Sequence, residues 1–94
     1  MADGLVFDWD DANVAHVARH NITRDEVEQV FANDPIDLGA DIVDGEERYT
    51  SVGQTNRLRV LVVAWTMRGD TTRPITAFDV SERLTKRYLT EKGF

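Results

Sequence analysis

A short run of apolar residues near the middle of the chain, Val60 to Val63, limits most strongly what this sequence can fold into. Three of its four residues are β-branched, and the run is far too short to cross a membrane. Such a run is typical of a strand at the centre of a sheet. Together with its flanking residues, it predicts one long strand over residues 57–67.

Five arginines bracket the strand-like run from Val60 to Met67, at positions 48, 57, 59, 68 and 73. At the end of a central strand the backbone is rigid while side chains reach outward. Arg68 at the strand end and Arg48 on the expected neighbouring strand are therefore candidates for fixed guanidinium groups. Such groups match phosphate oxygens and keep their charge. The alternative is that these arginines pair with carboxylates at the surface, with Glu26, Glu46 or Glu47 as partners.

Before the central strand, the sequence predicts a short extended segment and a first helix. Residues 5–9 alternate as in a short strand or an extended entry to the fold. Asp10 or Asp11 can cap a helix that runs to about Arg19. Asn21 is expected to stop this helix in a left-handed conformation.

A second helix has the strongest local signature. Thr23 and Glu26 have the spacing of a capping box, and Ile22 and Val27 have the spacing of the hydrophobic staple that accompanies it. The helix is expected to end at residues 33–35, because the residue before a proline is disfavoured in helices.

The remaining sequence predicts strands followed by a third helix. An edge strand, an Asp44-Gly45 turn and a second strand precede the central one, and a last strand is followed by a helix capped by Asp79 or Ser81. The expected class is α+β, with two N-terminal helices, a mainly antiparallel sheet of about four strands and a C-terminal helix. The helices are expected to pack on one face. The predicted strands cover residues 36–43, 47–53, 57–67 and 73–80.

The composition narrows the function classes. A chain of 94 residues is expected to form one domain, residues 1–94, and its net charge of -6 argues against a whole surface that binds nucleic acid. Without cysteine there is no disulfide or thiolate nucleophile. His16 and His20 have a spacing that can bridge a metal ion, but Val17 replaces the glutamate of the His-Glu-x-x-His pattern, so we expect no metal and no other cofactor. No membrane span or signal segment is expected.

Several short motifs follow one another in a set order: Phe7-Asp8-Trp9-Asp10, Asn13, His20-Asn21-Ile22-Thr23, Glu26-Val27, Val30-Phe31, Glu47-Arg48-Tyr49, Val52-Gly53, Val60 to Arg68, Arg73-Pro74-Ile75-Thr76-Ala77 and Arg87-Tyr88. Their order and spacing resemble the BrnT family of toxins along nearly the whole chain. The resemblance implies a cytoplasmic, RelE-like ribonuclease that acts on RNA. It also implies a ribbon-helix-helix antitoxin, encoded beside the toxin, which neutralises it, represses their operon and supplies the only contact with DNA.

Cleavage of RNA without a metal requires that the 2′-hydroxyl lose a proton, that the phosphate charge be stabilised and that the leaving 5′-oxygen gain a proton. Arg48 and Arg68 are the main candidates for charge stabilisation, with Arg73 as the third. His20 is the candidate for proton transfer, because an imidazole titrates near neutral pH, although at a helix end it can instead interact with the helix dipole. Tyr49 can position the phosphate or stack on a base, or else pack in the core.

The predicted last helix carries Arg83, Arg87 and Tyr88, a candidate strip for binding RNA or the antitoxin. Members of the family often have an arginine at the position of Phe78. Its replacement leaves open a second interpretation, a catalytically inactive module that keeps only the partner interface. A third interpretation is a small-ligand-binding domain with no role in nucleic-acid chemistry.

Overall fold

The apolar run at 60–63 begins strand β4 (Val60–Arg68), which lies in the middle of the sheet as predicted. The computed structural model describes residues 5–93. Within that range the other strands are β1 (Val6–Phe7), β2 (Ile36–Val43), β3 (Glu46–Gln54) and β5 (Thr71–Asp79). The helices are α1 (Asp11–Ala18), α2 (Arg24–Ala32) and α3 (Glu82–Glu91). The α+β class is therefore confirmed.

The number and direction of the strands differ from the prediction. Over the described residues the sheet has five strands in the order β1-β5-β4-β3-β2. Strands β2 to β5 are antiparallel neighbours, whereas β1 is parallel to β5, with Val6 opposite Thr71. The prediction of about four mainly antiparallel strands was thus wrong by one strand. Residues 5–9 were predicted as a short strand or an extended entry, and no local pattern shows that this segment joins the sheet beside β5.

The helices cover both faces of the sheet, so the prediction that they share one face is wrong. Helices α1 and α2 pack in a core with Leu61 and Val63 of β4. Helix α3 packs through Tyr88 in a second core with Val62. Because side chains alternate along a strand, the consecutive residues of the apolar run are buried on opposite faces. Such an uninterrupted run is the pattern of a strand covered on both sides.

The helices begin at side-chain caps. Thr23 Oγ1 accepts from the backbone N–H of Glu26 at 3.2 Å, and the Glu26 carboxylate accepts from the backbone N–H of Thr23 at 3.1 Å, which confirms the predicted capping box. Asp10 caps α1 and forms a similar reciprocal pair with Asn13. Ser81 caps α3. None of the helices within residues 5–93 is long and apolar enough to span a membrane.

Candidate active site

One buried asparagine fixes helix α1 beside strand β5. The side-chain amide of Asn13, 3% exposed, donates to the carbonyl oxygens of Pro74 and Asp8, both at 2.9 Å. Its Oδ1 accepts from the backbone N–H of Asp10 at 2.8 Å. Residues three apart lie on the same side of a helix, so His16 also faces β5.

The strands carry three arginines to the face of the sheet that lies away from α2. Tyr49 of β3 opposes Trp65 of β4, and Trp65 packs against the core formed by α1 and α2. Since side chains alternate, Arg48 and Arg68 lie on the other face. Arg73 of β5 joins them, because it is paired with the residue two positions before Arg68.

These arginines and α1 surround an open cavity of about 200 Å³. It brings three guanidinium groups together with one carboxylate and one imidazole, so positive charge predominates in its lining. Such an arrangement suits an anion with several oxygen acceptors. The strands contribute Glu46, Arg48, Arg68 and Arg73, and α1 contributes Asn13 and His16.

The Glu46 carboxylate lies between two of the arginines. Its Oε2 is 3.2 Å from Arg68 Nε, and its Oε1 is 3.5 Å from Arg48 Nε. The contact with Arg48 is an ion pair without hydrogen-bond geometry, and within residues 5–93 the buried Arg48 Nε has no hydrogen-bond partner. An unpaired buried donor costs about 1–3 kcal/mol. The cavity therefore favours an additional acceptor beside Arg48.

Arg73 is held by the residues that lead into α1. Its Nη1 is 3.3 Å from Asp8 Oδ2 and its Nη2 is 3.0 Å from Asp10 Oδ2, and only 16% of its side chain is exposed. The backbone N–H of Asn13 lowers the pKa of Asp10, and the guanidinium of Arg73 lowers it further. The cap of α1 thus orients the third guanidinium group.

His20 lies apart from the three arginines. Its ring centroid is 6.2 Å from that of Phe78, and its carbonyl oxygen accepts from Arg59. His16, one helical turn earlier, is the histidine among the residues that line the cavity. Within residues 5–93 no three His, Cys, Asp or Glu side chains are grouped so as to hold a metal ion.

Tyr49 also lies outside the cavity, because it follows Arg48 on an alternating strand. Its ring centroid is 4.7 Å from that of Trp65, on the α2 side of the sheet. The hydroxyl donates to the Glu47 carboxylate, and this hydrogen bond raises the pKa of Tyr49. Tyr49 and Glu47 therefore interact with each other on the face away from the arginines.

Of the three residues predicted as a strip on α3, two are exposed. Arg83 and Arg87 line a shallow depression, and Arg87 Nε is 3.0 Å from Glu91 Oε1 in an ion pair along the helix. Tyr88, 2% exposed, is part of the core beneath α3. Tyr88 fixes the helix on the sheet and is not part of its exposed face.

His16 and Glu46 are cavity residues that the sequence suggested only in other roles, His16 as a possible metal ligand and Glu46 as a possible partner of the arginines. Glu46 lies two residues before Arg48, a spacing that puts both on one face of a strand. His16 carries a weaker signal, since its place depends on Asn13 reaching the backbone of β5. Only the tertiary contact between α1 and β5 places the imidazole beside the arginines.

Residues 9–83 match the family model described as the ribonuclease toxin BrnT of type II toxin–antitoxin systems. The chain belongs to this family. The matched range contains every residue of the cavity described above. Membership makes the chain a ribonuclease toxin of a type II toxin–antitoxin system, for which RNA is the substrate and an antitoxin the partner. A search of curated proteins found no match.

Proposed function

We propose that this chain is a metal-independent endoribonuclease in which Arg48, Arg68 and Arg73 bind the scissile phosphate and stabilise the charge that develops on it. The supporting observation is that three strands bring three guanidinium groups to one cavity. Guanidinium forks match phosphate oxygens and stay charged at any working pH. The buried Nε of Arg48 makes no hydrogen bond within residues 5–93, so this donor is available to a phosphate oxygen.

The same proposal extends to the partners. The toxin is RelE-like, acts in the cytoplasm and is neutralised by a ribbon-helix-helix antitoxin, which alone contacts DNA; the order of the sequence motifs supports this. Arg83 and Arg87 form an exposed basic strip on α3 that binds RNA or the antitoxin. Tyr88 supports that strip from below, since it holds α3 on the sheet.

A catalytically inactive binding module is the second candidate function. It is favoured by the carboxylates in contact with each cavity arginine: Glu46 with Arg48 and Arg68, and two aspartates with Arg73. Arginines engaged in this way can serve structure alone. Both candidates have the antitoxin as partner, and only the first cleaves RNA.

The arginine cavity is tested by removal of single guanidinium groups. Purified wild-type protein is expected to cleave free RNA in excess chelator, and its induction in a bacterial host is expected to arrest growth. Arg48→Ala and Arg68→Ala should each lower the cleavage rate by about 10²–10³-fold, as loss of a preorganised charge-stabilising donor does in other enzymes. Arg24→Ala, on the exposed first turn of α2, is the control and should leave the rate unchanged.

Wild-type protein could leave RNA intact and still bind its antitoxin. That outcome would favour the inactive binding module as the function. Phe78→Arg is informative in that case. Phe78 is paired with Val62 and lies on the same face of the sheet as the arginines. It is five residues from Arg73 along β5, so the two residues are roughly 16 Å apart. An arginine there extends the cationic face towards α3, and gain of cleavage would identify it as the missing cation.

A further inference from the structure

We propose that Glu46 and His16 are the proton-transfer pair of this cavity. Glu46 accepts the proton of the attacking 2′-hydroxyl, and His16 donates a proton to the leaving 5′-oxygen. This assignment rests on the proposed ribonuclease function and deepens it. It gives to His16 the role that the sequence suggested for His20.

His16 is held in place by the anchored helix. Asn13 fixes α1 to the carbonyl oxygen of Pro74 at 2.9 Å, one turn before His16. The imidazole is half-buried and lines the cavity from the β5 side. An imidazole can hold or donate a proton near neutral pH, so this position supplies an acid beside the arginines.

Glu46 lies on the opposite side of the cavity, on β3. Strand β4 separates β3 from β5, so the backbones of β3 and β5 are roughly 10 Å apart. The cavity that Glu46 and His16 both line has a volume of about 200 Å³, which is room enough for a phosphate group between them. In-line displacement places the attacking and leaving oxygens on opposite sides of phosphorus, which matches a base and an acid on opposite walls.

Binding of the substrate frees Glu46 for this task. Glu46 Oε2 is 3.2 Å from Arg68 Nε, and 54% of the Arg68 side chain is exposed. A phosphate with several acceptor oxygens competes for Arg68 and supplies the hydrogen-bond acceptor that the Nε of Arg48 lacks within residues 5–93. The displaced carboxylate then lies beside the ribose, where a general base is required.

The reaction is a transesterification. Glu46 takes the 2′-hydroxyl proton while the 2′-oxygen forms a bond to phosphorus. The bond between phosphorus and the 5′-oxygen breaks, and that oxygen receives the proton from the His16 imidazolium. The products are a 2′,3′-cyclic phosphate and a free 5′-hydroxyl. Glu46 then releases its proton to solvent and His16 takes one up, which restores the carboxylate and the imidazolium.

Two other acid–base groups, one on β3 and one in the loop after α1, are placed less well. Glu47 accepts from the Tyr49 hydroxyl on the far face of the sheet. His20 lies next to Phe78. The charged groups that surround His16 in the cavity are the three arginines and Glu46, with Asp8 and Asp10 behind Arg73.

The assignment predicts distinct effects for the two residues. His16→Gln and Glu46→Gln should each lower kcat by about 10²-fold, within the usual range for general acid–base catalysis. Wild-type kcat should follow a bell-shaped pH profile, of which Glu46→Gln removes the acidic limb and His16→Gln the basic limb. Glu82→Gln, an exposed glutamate on α3, is the control and should retain both limbs.

A substrate with sulfur in place of the bridging 5′-oxygen separates catalysis from structure. A thiolate leaves without protonation, so this substrate should restore His16→Gln to near the wild-type rate and leave Glu46→Gln slow. KM provides a second readout for Glu46. Its removal frees Arg68, so Glu46→Gln should bind RNA more tightly while kcat falls.

Several outcomes would overturn the assignment. Wild-type protein that cleaves RNA and loses activity in Arg48→Ala, while His16→Gln and Glu46→Gln cleave normally, would refute this inference and leave the ribonuclease proposal intact. A faster kcat in Glu46→Gln would show that Glu46 is only a counter-ion, and loss of the basic limb in His20→Gln would return the acid role to His20. Wild-type protein that cleaves nothing would refute both proposals together.

Discussion

Neighbouring residues of β3 have different roles because the strand alternates. Glu46 and Arg48 contact each other in the cavity, whereas Glu47 and Tyr49 interact on the opposite face. A shift of the register by one residue would exchange the two pairs. Cross-strand pairing of Tyr49 with Trp65 fixes the register, so the core on one face determines which charges enter the cavity on the other.

The capping box is the residue-scale feature with the most direct effect on stability. Thr23→Ala removes the acceptor for the Glu26 N–H and should lower the free energy of unfolding by about 1 kcal/mol. Denaturant midpoints of the two proteins measure the difference. Thr90→Ala, an exposed threonine within α3, is the matched control and should change stability little. Equal midpoints for Thr23→Ala and wild type would show that the hydroxyl contributes nothing to the helix start.

Whole elements could be predicted from the sequence wherever local chemistry defines them. The capping box gave the start of α2, and the Asp44-Gly45 pair, with φ of 52° and 77°, gave the turn between β2 and β3. Strand β4 was predicted from residue 57, but it begins at Val60, because the backbone carbonyl oxygen of Arg59 accepts from the backbone N–H of Thr55 in the preceding loop. Three other features depend on contacts between residues distant in sequence, which no local pattern reports. They are the pairing of β1 with β5, the position of α3 on the second face of the sheet and the position of His16 in the cavity.

The hydrogen bonds that hold α1 on β5 can be tested by a substitution that changes a single atom group. Asn13→Asp keeps the shape of the side chain but replaces the amide donor with an oxygen that faces two carbonyl groups. Stability should fall by more than the roughly 1–3 kcal/mol expected for unpaired buried groups in Asn13→Ala. Thermal or denaturant unfolding of both variants shows which of the two is less stable. If Asn13→Asp were the more stable of the two, the amide would not anchor the helix.

At the scale of the whole molecule, Arg59 ties together parts of the chain that are distant in sequence. Its guanidinium is 2.8 Å and 3.0 Å from the two carboxylate oxygens of Asp79 and 3.2 Å from Glu26 Oε2. It also donates to the carbonyl oxygens of His20 and Asn21, at 3.3 Å and 2.9 Å. This one side chain connects the end of β5, helix α2 and the loop between α1 and α2.

The contact between Arg59 and Asp79 makes the stability of the protein depend on pH in the acid range. The hydrogen bond from Arg59 lowers the pKa of Asp79 below its ordinary value of 3.8. A carboxyl with a lowered pKa contributes stability above its unfolded pKa and loses that contribution as pH falls through the folded pKa. Asp79→Asn should therefore be less stable than wild type at about pH 7, and the difference should shrink by about pH 2.5. Denaturant midpoints at both values test this, with exposed Asp70→Asn as the control, and a constant difference would contradict it.

The cationic cavity belongs to a chain whose net charge is -6. A distant polyanion is repelled by the whole molecule, and the attraction of the cavity is felt only within about one Debye length, roughly 8 Å at physiological ionic strength. Added salt weakens the long-range repulsion first and the close attraction later. The rate of capture of a polyanion should therefore be greatest at an intermediate ionic strength, unlike the steady decline shown by proteins that are basic throughout.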